Sequence, residues 1–421
     1  MKKFIKFIKW FYPGLRVKRW VSLLLISLFF LVFSAVRLSF DTILLLKIFD
    51  VCLLFISFIG VIVGFSSLMH SFFQVVYPQN QRGMIDLIYE KRFLSKGPRI
   101  VAIGGGTGLS TLLEGLKKYT ANITAIVTVA DEGGSSGRLR EEFGILPPGD
   151  IRNCLVSLAE TPQLMRDLFQ YRFKEGEGMK GHSFGNIFIT AMTQVSGNFK
   201  DAIKESSIVL AIRGKVLPSS LLSLRIKADY LDGTTIKGED RIPKNKSNIK
   251  KLYLMPEDAK SNPEAIAAVN QADIIIFGPG SLFTSVIPNL LLKDLGDAIS
   301  RRQVMKLYIC NVMTQKGETD DYTASDHLRQ IISHTNKNII NCCLVNSGRL
   351  TSDLLSKYAK QKSFPVLFDR KRLREMGISV YEADVINRTD YLRHNPYKTA
   401  REIIRIYNKR RKKWLGLRNK F

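Results

Sequence analysis

The chain has 421 residues, 45% of them hydrophobic, and a formal net charge of +26; that length holds one large α/β domain with appendages, or two domains. Residues 1–19 contain seven Lys or Arg and no acid, and residues 401–421 contain nine against Glu402 alone. Basicity gathered at the two ends counts against a nucleic-acid groove built into the domain and suits termini lying on anionic lipid.

In chain order, Phe4, Ile5, Phe7, Ile8 and Phe11 alternate with lysines, a pattern that predicts a short interfacial helix. Trp20 to Val36 is apolar apart from three serines, about 25 Å of helix and long enough to cross a bilayer. A second uncharged run covers Val51 to Met69, with Lys47 and Asp50 placed to pair or snorkel at its outer end. Val36-Arg37-Leu38 is no small-residue cleavage site, which argues against a removed signal peptide. Lys and Arg flank the pair of runs on the outside, so the positive-inside rule predicts a multi-pass protein of the cell membrane, with both termini and the main domain in the cytoplasm. Residues 1–70 therefore read as an anchor of two transmembrane helices, 71–97 as a juxtamembrane connector, 98–395 as the soluble domain and 396–421 as a basic tail. Ile403, Ile404, Ile406, Trp414, Leu415 and Leu417 are interleaved in that tail, as in a segment that lies on anionic membrane. The five cysteines form no C-x-x-C pair and are odd in number, the usage of a reduced compartment.

The domain opens with a strand-like run, Arg99 to Ile103, followed by Gly104, Gly105, Gly106, Thr107, Gly108, Leu109 and Ser110, then a helix in which Leu112, Leu113 and Leu116 share a face. A strand, a glycine loop and a helix N-terminus are the parts of a phosphate site. Asn122 to Ala130 reads as a second strand, ending in Asp131, Glu132 and a run of Gly and Ser with Arg138 and Arg140. That run, Ser135 and Ser136 included, is a second anion cradle with arginines to neutralise phosphate. Asp131 is placed to hold a metal ion or a substrate hydroxyl, while Glu132 reads as a solvated loop acid. The rigid turn 146–153 delivers Asp150, Arg152 and Asn153. Thr161 and Pro162 open a helix running to Phe173, and Gly181-His182-Ser183-Phe184-Gly185-Asn186 precedes another over Ile187 to Gln194. His182 is a phosphate donor or an acid–base group, with Ser183 and Asn186 as short hydrogen-bonding partners. Alternation around Asp232-Gly233 predicts a β-hairpin outside the parallel core. Asn262 caps a helix to Gln271, and the strand Asp273 to Phe277 leads into a third glycine loop with Gly278, Gly280, Ser281, Thr284 and Ser285. Further strands cover 306–310, ending at Asn311, and 339–345.

Strands alternating with helices over about 300 residues predict a Rossmann-like α/β fold, a doubly wound, mostly parallel sheet with a cleft along its C-terminal edge. There is no G-x-x-x-x-G-K-[ST] motif, no G-x-S-x-G elbow and no complete dinucleotide fingerprint, which counts against a P-loop ATPase, a serine hydrolase and a dehydrogenase.

Six ordered stretches, GGGTGLS (104–110), ADEGGSSGRLR (130–140), LPPGDIRN (146–153), HSFGN (182–186), GPGSLFTSVIPNLL (278–291) and NVMTQKGETDDY (311–322), resemble the gluconeogenesis factor, or YvcK-like, family. That family stands with the CofD-like 2-phospho-L-lactate transferases. Glu132 departs from the family's usual second aspartate, and the hairpin is absent from its usual soluble members. The resemblance implies a CofD-like fold that binds a UDP-sugar of the UDP-N-acetylglucosamine type and supports cell shape and cell-wall synthesis. The alternative it implies is a phospholactyl-type transferase using a nucleoside diphosphate donor, with Mg2+ as cofactor. Carried over to this chain, Gly104 to Thr107 cradle the diphosphate, and Ser135, Ser136, His182 and Asn186 line the site. Asp131 and Asp150 contact metal or acceptor, and Gly280, Ser281 and Thr284 close the opposite wall. The expected partners are a nucleotide-sugar or nucleoside diphosphate, membrane lipid, cell-wall synthesis proteins and a second copy of the chain in a homo-oligomer, with no nucleic acid.

Overall fold

Short runs of Ile, Val and Ala without a polar interruption form strands buried on both faces, as a parallel sheet covered by helices requires. Seven of them, in the order β10-β9-β8-β7-β1-β2-β3, build one all-parallel sheet. They are β1 (Ile100–Gly104), β2 (Ile123–Val127), β3 (Lys215–Pro218), β7 (Ile274–Phe277), β8 (Met305–Ile309), β9 (Cys342–Asn346) and β10 (Ser379–Ala383). Between β3 and β7 the chain leaves the sheet for an antiparallel three-stranded flap of β4 (Arg225–Tyr230), β5 (Thr235–Lys237) and β6 (Ile249–Met255), in the order β5-β4-β6. β11 (Ile386–Arg388) and β12 (Leu392–His394) form a small hairpin.

The computed structural model describes residues 17–40, 43–76, 92–245, 247–335, 339–388 and 392–418. Two compact units divide the chain, Met1–Glu90 and Lys91–Phe421. The described residues of the smaller form helices Val17–Phe40 and Leu44–Val76. Both are long and apolar enough to cross a membrane, with mean hydropathy reaching 2.4 over an 18-residue stretch within Lys18–Phe40 and 2.6 within Leu44–Ser71. They meet through small residues: a Cβ on Gly60 would stand 2.3 Å from Ser27 Oγ, and one on Gly64 3.2 Å from the Leu24 backbone nitrogen, the spacing by which apolar helices approach closely. Asp50 is fully buried and pairs with Arg37 at 3.7 Å, a partner the sequence reading did not name. The expected interfacial helix lies at 1–16, outside the described residues, as does most of the connector, 77–91.

In the larger unit the elements match the sequence reading in kind and differ at their edges. The first glycine loop is shorter than expected because the helix Gly106–Leu116 starts inside it. The helix expected from Pro162 to Phe173 runs over Gln163–Gln170 only, with no side-chain cap. The one expected from Ile187 begins at Phe184, with Ser183 as its N-cap. The Asp232-Gly233 turn is present, closed by Asp232 Oδ1 accepting from Thr234 N at 2.9 Å; β3, β6, β10, β11 and β12 were not foreseen.

Beyond residue 395 the chain forms a helix, Pro396–Arg418. Its Ala400, Ile403 and Ile406 are buried in the main core, and a Cβ on Gly115 would fall 1.9 Å from Pro396 O. Ile403 and Ile406 are therefore not available to lie on lipid, which corrects the reading of this segment as a membrane-lying tail. The side chains of Trp414, Leu415 and Leu417 lie outside the described residues.

Candidate functional site

From β1 the chain winds outward through β2 to β3, then returns to place β7 on the other side of β1 and continues to β10. The order reverses between β1 and β7, and the crevice beyond their C-terminal ends is where open α/β sheets bind ligands. Two of the three glycine loops, 104–108 and 278–280, leave from there.

These two loops interlock. A Cβ on Gly108 would stand 2.3 Å from Pro279 O, and one on Gly105 would stand 2.5 Å from Asp150 Oδ2, so neither position admits a side chain. Asn289 Nδ2 donates to Gly104 O at 3.2 Å and to Ser285 O at 2.8 Å. Asn311 Nδ2 donates to Gly280 O at 2.9 Å and its Oδ1 accepts from Gly280 N at 3.3 Å. Ser281 caps the next turn, accepting from Thr284 N at 3.1 Å and from Thr284 Oγ1 at 2.8 Å, and itself donates to the buried Glu318. Thr107 sits exposed at the mouth.

The second cradle lies alongside. Asp131 Oδ1 accepts from Gly133 N at 2.9 Å, and a Cβ on Gly149 would meet Ser136 Oγ at 2.3 Å and Asp131 Oδ2 at 3.1 Å. Asp131, Ser136 and the turn carrying Asp150 are thus in contact. Burial first, then the charge of Asp131, pushes the Asp150 carboxyl up to about 7, against the Gly106 N–H that donates to it. Ser135 Oγ accepts from Asn186 Nδ2 at 3.0 Å and lies 3.0 Å from His182 Nδ1. That leaves the Ser135 hydroxyl proton for Nδ1 of a neutral His182, and burial followed by Arg138 holds the imidazole below its usual range. Asn186 Oδ1 is buried without a partner among the described residues.

Other expected site residues are engaged elsewhere. Arg138 donates to Lys180 O at 2.9 Å. Asn153 Oδ1 accepts from Arg152 Nη2 at 2.8 Å, and Arg152 also donates to Ser183, tying neighbouring helices together. Arg140 is buried and donates to Ser223 Oγ at 2.8 Å and Leu224 O at 2.7 Å, so it straps the flap rather than facing a phosphate. Glu132 is no solvated acid: it pairs with Arg225 at 2.9 Å and Arg140 at 4.0 Å and accepts from Glu239 N at 3.1 Å.

That clamp delivers a residue the sequence reading missed. Glu239, on the flap just after β5, hydrogen-bonds Thr284 and faces Asp131, Glu318 and Asp150; burial, then those charges, pushes its carboxyl up to about 7. Glu318 lay inside the 311–322 stretch but was not singled out. Glu239 carried no sequence signal, since an acid on a polar hairpin is ordinarily solvated. Among the described residues, no three His, Cys, Asp or Glu side chains converge closely enough to hold a metal ion by themselves.

A switch-point cleft of interlocked glycine loops with acids at one end is that of an open α/β ligand-binding protein, and comparison with known proteins gives the family. A family model described as 2-phospho-L-lactate transferase CofD matches residues 100–386. The gluconeogenesis factor of Bacillus subtilis is 46% identical over 73% of this chain and 97% of its own length. That of Halalkalibacterium halodurans is 48% identical over 73% and 96%. A Nostoc relative, 44% identical, matches 96% of this chain and 93% of its own length, so its similarity extends beyond the α/β unit. A crystal structure of a Bacillus halodurans protein superposes with a TM-score of 0.72 at 47% identity, covering 73% of this chain and 99% of that one. The chain belongs to the gluconeogenesis factor family, within the CofD-like proteins.

Proposed function

We propose that the chain is a membrane-anchored binder of a nucleoside diphosphate sugar, of the UDP-N-acetylglucosamine type, that regulates cell-wall synthesis and cell shape. The observation that carries the reading is the interlocking of loops 104–108 and 278–280 at the switch point, which sets two backbone segments and a helix N-terminus side by side, a cradle that fits a diphosphate. At that N-terminus the Gly106 N–H is taken by Asp150. A diphosphate fits beside it because a carboxyl with a value of about 7 is about half protonated near neutrality, and its protonated form donates to a phosphate oxygen rather than repelling it. Magnesium, if bound, is held by Asp131 and by the ligand's own phosphate oxygens, the usual division for this ion, and it neutralises phosphate charge. The anchor is the pair of apolar helices. The link to wall synthesis rests on the family resemblance.

Thermal shifts of the detergent-solubilised chain with UDP-N-acetylglucosamine, UDP-glucose, GDP and GTP, with and without magnesium, test this. UDP-sugars are expected to stabilise most; no shift with any nucleotide sinks the reading. A second reading is transfer of a phosphorylated group from a nucleoside diphosphate donor. It is favoured by one observation, the raised carboxyl of Asp150 beside Asp131, the kind of poised pair that proton transfer uses. A magnesium-dependent preference for GDP, followed by product formation, would establish it.

A further inference from the structure

The two ends of the parallel strands carry opposite charge. At the C-terminal ends stand Asp131, Asp150, Glu239 and Glu318, whose charge effects on one another show their proximity. Cations gather at the N-terminal ends. Arg99 precedes β1 and is tied at 3.2 Å to Asp273, which precedes β7. Arg302, before β8, donates to Ala272 O at 2.9 Å. Arg92 and Lys96 lie exposed just upstream of Arg99. Their segment is fixed to the same ends, because Asn122 Nδ2, before β2, donates to Ser95 O at 2.8 Å and to Gly97 O at 2.9 Å. Phe93, between the two cations, is 58% exposed, the mixture of aromatic and basic side chains that suits a lipid interface.

The C-terminal helix completes this edge. Arg410 Nη1 donates to Cys342 Sγ at 2.9 Å, at the start of β9, and to Tyr381 Oη at 3.4 Å. Tyr407, pushed up first by burial, also feels the charges of Asp273, Arg411 and Arg99, so Arg411 lies near the heads of β1 and β7. The helix commits Ile403 and Ile406 to the core and leaves Lys409, Arg411 and Lys412 exposed. With its apolar side taken it does not insert into lipid, but its outward cations meet headgroup phosphates by charge.

A basic surface alone is ordinarily just solvated, and a nucleic acid would meet the same charge. The apolar pair favours lipid. Its second helix ends at Val76, and the fifteen residues 77–91 precede Arg92, a tether of at most about 50 Å even when fully extended. In an anchored chain that raises the local concentration of this edge beside the bilayer, where a weak contact is enough.

Resting on the anchoring part of the function proposed above, we propose that the N-terminal edge of the parallel sheet lies on anionic lipid headgroups. Arg92, Lys96, Arg99, Lys409, Arg411 and Lys412 make the contact, and the acidic cleft at the opposite edge opens away from the bilayer. The cleft then takes its ligand from solution rather than from the membrane plane. Without the tether the contact is screened at cellular salt and does not hold the domain by itself.

The test places the full chain in lipid nanodiscs of phosphatidylcholine alone or with about a third phosphatidylglycerol, acetylates its lysines and reads them by mass spectrometry. In anionic discs Lys96, Lys409 and Lys412 are expected to react at least ~fivefold more slowly than in neutral discs, and ~0.5 M NaCl should remove the difference. Lys180 and Lys316, exposed on the cleft side, should react alike in both. The triple variant Lys409→Gln, Arg411→Gln, Lys412→Gln, at exposed helix positions, should bring Lys96 in anionic discs to within ~twofold of its rate in neutral ones. Equal rates for Lys96, Lys409 and Lys412 in the two discs overturn the proposal, as does protection of Lys180 and Lys316 in their place. Protection of Lys96 that survives the triple variant overturns the helix's part in the contact. Protection that appears only when RNA is added assigns the edge to nucleic acid and overturns the proposal too. A chain that enters neither disc overturns the anchor itself, whereas one that enters both without any dependence on headgroup charge overturns this inference alone.

Discussion

At the scale of residues, two carboxyls carry the pH behaviour of the cleft. Asp150 sits at about 7 against an ordinary 3.8, and Glu239 at about 7 against 4.5. In each case the folded chain keeps a proton that the unfolded chain releases, so stability is highest below about pH 4 for these groups and falls as pH rises toward about 7. Asp150→Asn should therefore raise the melting temperature at about pH 8 and leave it nearly unchanged at about pH 4; parallel melting curves at the two values would remove this role. The same sign governs the ligand: without magnesium, affinity for a diphosphate should decline as pH rises through about 7, and the variant should flatten that decline. Close approach is the other residue-scale effect. Gly108→Ala forces a methyl to within 2.3 Å of Pro279 O, with an expected loss of ~2–3 kcal/mol in denaturant unfolding together with nucleotide binding. Gly134→Ala, at φ +49 with open space around it, should cost only ~1–2 kcal/mol of backbone strain and leave the loops interlocked.

Among elements, the flap is seated in the main core by Ile226, Ala228, Tyr230, Leu252 and Leu254, while polar contacts tie its edge to the cleft. Glu132, at the tip of β2, holds it through Arg225 on β4 and the backbone of Glu239. Arg225 is half exposed, so Arg225→Ala should cost no more than ~1 kcal/mol of global stability. It should nevertheless speed hydrogen exchange across residues 235–241 while the parallel strands exchange as before. Unchanged exchange there would mean that Arg140, through Ser223 and Leu224, suffices to hold the flap. The hairpin itself was legible from Asp232-Gly233, because turn chemistry is local. Its reach into the cleft was not, since that depends on Glu132 and Arg225, 93 positions apart in the sequence.

Across the whole molecule, the C-terminal helix and the apolar pair behave oppositely. Ile403 and Ile406 are buried against the core, on the helix that packs against Gly106–Leu116. Truncation after Asn395 would expose that face and unsettle the glycine loop at its head, so a chain ending there should lose nucleotide binding and solubility. Ile403→Asp should destabilise the domain by more than ~3 kcal/mol by burying an unpaired charge. Removal of residues 1–76, by contrast, should leave the α/β unit folded and move the protein from the membrane fraction of broken cells to the soluble one. Persistence in the membrane fraction would point to the basic face of the C-terminal helix as a second lipid contact.

Short-range signals were sufficient for much of this protein. Unbroken apolar runs marked β1, β7 and β8 and the two long apolar helices, and glycine loops placed after strands marked the cleft, because strand burial, helix length and backbone freedom are properties of neighbouring residues. Tertiary structure alone decided which polar groups meet. It set Glu239 among Asp131, Asp150 and Glu318, turned Arg140 and Glu132 into a clamp, and drew the basic C-terminal segment into the core. Each of those outcomes depends on contacts between segments far apart in the chain, where desolvation and charge, not sequence spacing, determine what a side chain does.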